Sequence, residues 1–86
     1  MKKKSPYELA IVALTIKMRL ELKRTQSYIA MILGVSDGYI GQIESPKYGS
    51  MYTHDQLNAL AQDFNCSPRD FIPKEPVEQE LPKRKN

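Results

Sequence analysis

The segment Gln26–Glu44 constrains the fold more than any other, because two short apolar-patterned runs meet there at Gly34. Thr25 can cap the first run, which places Ile29, Ala30 and Leu33 on one face. Gly34 supplies the left-handed residue that a helix end favours. Ser36 caps the second run, Asp37 to about Ser45, with Ile40 and Ile43 pointing inward. Asp37 in the first turn suits the helix dipole. Ala30 is small where two helices must cross closely, and Val35 plugs the corner. Helices joined this tightly pack on each other, leaving Asp37, Gly38, Gly41, Gln42 and Ser45 facing out. A glycine costs about 1 kcal/mol relative to alanine in a helix interior, and less in the first turn, where Gly38 lies. Gly38 and Gly41 therefore need a packing or functional reason, or support from neighbouring elements.

The remaining chain reads as helices around this pair. Ser5-Pro6-Tyr7-Glu8 combines a cap, a first-position proline and a capping-box glutamate. Leu9, Val12, Ala13, Ile16 and Leu20 follow at helical spacing, and Ile11, Leu14, Met18 and Leu22 form a second stripe. So wide an apolar face predicts a central first helix running to about Lys23. Pro46 and Gly49 mark a loop over Ser45–Tyr52. A second capping box, Thr53 with Gln56, opens a fourth helix whose stripe is Leu57, Leu60, Ala61 and Phe64. Asn65-Cys66 ends it, and Ser67-Pro68-Arg69-Asp70 opens a short fifth helix that Pro73 stops. The expected organisation is a basic arm (1–4), one domain (5–73) and a flexible tail (74–86).

The chain has 86 residues and a net charge of +3. The excess sits in the ends: residues 1–4 carry +3, residues 5–72 carry −1 and residues 73–86 carry +1. Net charge alone therefore makes no case for a polyanion partner. Cys66 is the only cysteine and His54 the only histidine, so one chain can form neither an intrachain disulfide nor a Cys/His zinc cluster. His54 reads as a solvated helix-start residue and Cys66 as a buried, inert thiol. No nucleophile–base pair or metal set stands out, so an enzyme is not expected. Lys2–Lys4 before the apolar run Leu9–Ile16 has the outline of a secretory leader. Pro6 and Glu8 interrupt the approach, Lys17 and Arg19 close the run, and no small-x-small cleavage site follows.

With these residues in place, the chain resembles the phage-repressor and Cro type of helix-turn-helix regulator, the lambda-repressor-like fold. The resemblance covers about residues 9–72. It rests on Gln26, Ile29-Ala30, Leu33-Gly34-Val35-Ser36 and Tyr39-Ile40-x-Gln42-Ile43-Glu44, with Leu60-Ala61-x-x-Phe64-Asn65-Cys66-Ser67-x-x-Asp70-Phe71 as the closing pattern. It implies an all-α, compact five-helix domain with the helix-turn-helix at helices 2 and 3. It further implies a small, repressor-like transcriptional regulator that binds double-stranded DNA through a recognition helix at about 36–45. Gln26 matches a residue that bonds a phosphate and braces the recognition helix. Ser36, Asp37, Gly38 and Gln42 match positions that reach base edges, and Arg19 with Glu44 matches the family's interior ion pair. The chain departs from the pattern where Gly38 and Gly41 stand in place of long polar readers.

Lys47 and Tyr48, with Ser45 beside them, are the loop's candidate phosphate contacts. Lys23 and Arg24 lie beside the DNA backbone or are solvated. The expected state is a cytoplasmic homodimer of prokaryotic or phage type, with no cofactor, metal, membrane or small-molecule effector. The alternative is the same fold used as a protein-interaction module, such as an antitoxin or a regulator's partner. The glycine-bearing helix and the near-neutral core favour that alternative.

Overall fold

Every helix among the described residues starts at a hydroxyl. The side chains of Ser5, Thr25, Ser36 and Thr53 accept from the backbone N–H three residues on, at 3.0–3.1 Å. They open α1 (Pro6–Glu21), α2 (Gln26–Leu33), α3 (Asp37–Glu44) and α4 (His54–Phe64). Each cap satisfies a donor that the first helical turn leaves unpaired. Both expected capping boxes form, at Ser5 with Glu8 and at Thr53 with Gln56. The computed structural model describes residues 3–82; Lys2 and the basic run Lys83-Arg84-Lys85 lie outside the described residues.

The described residues are all-helical, with no strand among them. The expected fifth helix is a single 3-10 turn, Pro68–Phe71, capped by Ser67 with Asp70 completing the box. Four residues are too few for α-helical turns to propagate. Residues 74–82 form no regular element, and all but Val77 are exposed.

Three helices end on a left-handed residue. Gly34 follows α2 at φ 69°, as expected. Asn65 follows α4 at φ 56°, a conformation its short polar side chain tolerates. After α1 the residue is Lys23 at φ 57°, and the Arg24 N–H returns to the Arg19 carbonyl at 2.9 Å. The helix thus stops two residues before Lys23, at an ending that no glycine announces.

The core gathers residues from every element: Ile11 and Val12, Ile29 and Ala30, Ile40 and Ile43, Tyr52, Leu57, Leu60, Ala61, Phe64 and Phe71. Phe71 packs edge-on against Phe64, with ring centroids 5.9 Å apart. The inward face of α1 differs from expectation. Ile11, Val12 and Thr15 are buried, whereas Leu9, Ala13, Leu20 and Leu22 are exposed. The reason is that polar groups occupy the buried stripe and find partners there. Thr15 Oγ1 donates to the Val12 carbonyl at 2.7 Å, and Arg19 reaches α3. No helix of the described residues is long and apolar enough to cross a membrane.

Candidate functional site

The α2–Gly34–α3 unit is built from short-range rules. The Val35 N–H donates to the Ala30 carbonyl at 3.0 Å, closing α2 as the chain reverses at Gly34. Ile29 and Ala30 on α2 and Ile40 and Ile43 on α3 are at most 1% exposed, so α3 is held along one full side. Ser36, Asp37, Gly38 and Gln42 remain exposed, as expected. Gly41 and Ser45, expected to face out, are half-buried. Gly41 turns toward Gln26, and Pro46 forces Ser45 into extended backbone at ψ 134°. Ser45 Oγ then accepts from the Lys47 N–H at 3.2 Å, which organises the loop.

The glycines of α3 have no internal reason. Neither adopts positive φ. A Cβ on Gly38 would meet nothing within 4 Å, and one on Gly41 would meet only Gln26 Oε1 at 3.9 Å. Packing within the chain therefore does not require either to be bare.

Behind this face lies a closed polar network. Arg19 donates from Nε and one terminal nitrogen to the two Glu44 oxygens at 2.8 and 2.9 Å, a bidentate pair. Its other terminal nitrogen donates to the Arg24 carbonyl at 2.8 Å. Gln26 Nε2 donates to Glu44 Oε1 at 2.8 Å. The Arg19 and Glu44 side chains are only 12% and 8% exposed. A carboxylate at the end of α3 opposes the helix dipole, and the guanidinium offsets this. Arg19 and Glu44 thus form the expected ion pair. Gln26 braces α3 through its side chain, and its Nε2 keeps a second hydrogen beyond the one given to Glu44.

The exposed candidates are partly committed. Ser27 Oγ donates to Asp37 Oδ2, tying the start of α2 to the start of α3. Ser36 Oγ caps α3 and keeps its hydroxyl hydrogen. Ser50 Oγ donates to Gln42 Oε1 at 3.2 Å, leaving Gln42 Nε2 and one Oε1 lone pair outward. Lys47 and Tyr48 are exposed on the adjoining loop. Arg24, expected beside the DNA backbone or solvated, is only half-exposed and packs against its own chain. Its guanidinium stacks over Tyr28 at 4.6 Å, and Nε lies 3.7 Å from Asp63 Oδ2 on α4. The Tyr28 hydroxyl donates to the same carboxylate at 2.9 Å, which pushes that phenol above its ordinary range. These groups converge on the side of α2 that meets α4.

Sequence reasoning missed Lys4. It lies in the basic arm set apart from the domain, yet it is 7% exposed. Its ammonium donates to the carbonyls of Gln42 at 3.2 Å, Ser45 at 2.8 Å and Tyr48 at 2.6 Å. Burial draws it below the ordinary lysine range, and the Glu8 charge opposes that. The arm is therefore anchored at its last residue. The signal was available: α3 ends at Ser45-Pro46 without a left-handed residue, so its last carbonyls need another donor.

Two groups titrate abnormally: Tyr52, which is buried, and Cys66, which is half-buried rather than buried as expected. Burial and then Asp70 push the Cys66 thiol up, away from the thiolate a nucleophile needs. Burial, then the Glu44 charge, pushes the Tyr52 phenol far above 10, with Arg19 opposing. The unfolded chain therefore releases this proton first as pH rises through about 10, and stability falls from there. The expected slope is up to about 1.4 kcal/mol per pH unit. Urea midpoints between pH 9 and 11 for wild type and Tyr52→Phe check this: the difference must grow with pH, and parallel curves would refute it.

The chain matches no protein-family model, no curated protein and no solved structure.

Proposed function

We propose that the protein binds double-stranded DNA as a small transcriptional regulator. In this reading α2 and α3 form a helix-turn-helix in a lambda-repressor-like domain, with the 3-10 turn as the fifth element, and α3 lies in the major groove. One observation carries it: α3 is eight residues long, sealed to the core through Ile40 and Ile43, and bare on its outer side at Gly38. A helix face stripped of side chains without an internal cause suits close approach by an external surface.

Gln42 is the conventional base reader, suited to adenine because its amide still offers donors and a lone pair. Ser36 adds a hydroxyl donor. Asp37 accepts from a cytosine amino group or, bonded to Ser27, serves only to set α3. Lys47, Tyr48 and the N–H groups at Gln26 hold phosphates. One α3 carries few readers, so specificity calls for a homodimer on half-sites about 34–36 Å apart.

Anisotropy of labelled duplexes across a salt series tests the reading. Gln42→Ala is expected to cost roughly 1–3 kcal/mol and to relax preference at one base position. Lys47→Ala is expected to weaken all duplexes alike and flatten the salt slope by about one unit. Equal loss on every sequence for Gln42→Ala, or an unchanged slope for Lys47→Ala, would remove those assignments. Absence of salt-sensitive binding to any duplex would favour the protein-interaction module instead.

A further inference from the structure

We propose that Lys4 is a positioning residue for the recognition face, fixing the end of α3 and the following loop without touching the ligand itself. The inference rests on the DNA reading for what the face binds, but the anchor rests on geometry alone. The endings of α1, α2 and α4 tie their last carbonyls back through Lys23, Gly34 and Asn65. At α3 the only comparable return is from the Ser45 N–H to the Gln42 carbonyl at 3.2 Å. Pro46 has no N–H to offer and holds Ser45 extended, so the ordinary helix ending is blocked. The donors come instead from 38 to 44 residues earlier in the chain.

The three acceptors span the working segment. The Gln42 carbonyl belongs to the candidate reader, the Ser45 carbonyl to the helix end, and the Tyr48 carbonyl to the loop that presents Lys47. A single ammonium with three donors satisfies all of them, and its charge complements the negative end of the α3 dipole. Lys4 immediately precedes Ser5, the cap of α1, so the anchor couples the position of α3's end to the start of α1. Contacting side chains that are held in the wrong place lose binding even when every one of them remains.

Lys4→Met keeps the length and removes the donors; Lys3→Met, at an exposed neighbour, removes the same charge and serves as the control. Amide exchange and duplex affinity are read on the full chain. In Lys4→Met, exchange at Ser45 and Lys47 is expected to speed up by about tenfold or more while the α1 and α4 cores keep their protection. Duplex affinity is expected to fall about tenfold with an unchanged salt slope. Lys3→Met is expected to leave exchange at Ser45 and Lys47 as in wild type. Unchanged exchange in Lys4→Met, or the same acceleration in Lys3→Met, overturns the anchor. Acceleration spread evenly over all helices makes Lys4 a general stabiliser and overturns the positioning role, as does a slope flattened by one unit, which marks a direct phosphate contact. If wild type retains no duplex while the local exchange effect stands, the DNA reading fails and the anchor survives.

Discussion

Glu44→Ala is expected to destabilise the protein by about 3 kcal/mol, because it strands the Arg19 guanidinium among carbonyls and apolar groups. The pair is bidentate and mostly buried, so water cannot replace the lost carboxylate at full strength. Gln26 loses its acceptor in the same step, and the brace between α2 and α3 goes with it. Urea unfolding at neutral pH measures the loss. The paired replacement Arg19→Met with Glu44→Leu is expected to recover most of it, since no charge is then left buried. A single-mutant midpoint within error of wild type would mean that solvent screens the pair as it does on a surface.

Phe71→Ala is expected to cost about 3–5 kcal/mol. A domain of this size has roughly 4–13 kcal/mol in total, so the variant stands near the folding threshold. Phe71 is 0% exposed, meets Phe64 edge-on, and belongs to a 3-10 turn that packs on both α1 and α4. Its removal opens a cavity where three elements meet. Thermal unfolding by circular dichroism reads the effect, with Phe71→Leu as the comparison, expected to lose less than half as much. Equal losses in the two variants would show that ring geometry, rather than volume, holds this corner.

Local chemistry made much of this architecture readable in advance. The five hydroxyl caps, the reversal at Gly34 and the stripes of α4 follow rules that operate within four residues. The inward face of α1 was not readable, because Thr15 is buried and Arg19 half-buried, each with a partner. One finds its acceptor in its own helix and the other finds it on α3. Hydrophobic periodicity places such groups outside and moves Leu9 and Leu20 inside, opposite to their observed positions. Within the site, the exposure of Ser36, Asp37, Gly38 and Gln42 followed from where Ile40 and Ile43 had to point. The turning-in of Gly41 and Ser45 needed the side chain of Gln26 and the constraint of Pro46. For Lys4, Pro46 signals that the last carbonyls of α3 need a donor, but carbonyls carry no residue-type signature that names which distant side chain supplies it.

The empty space over Gly38 has an evolutionary meaning. A Cβ at this position meets nothing within 4 Å, on a helix whose opposite side is buried, so a side chain can start there without touching the core. Alanine there would even raise the helix propensity. Mutation at this codon is thus decoupled from foldability, and a new side chain changes what the surface meets rather than whether the chain folds. The present bareness of Gly38 is a property that packing within the chain does not dictate.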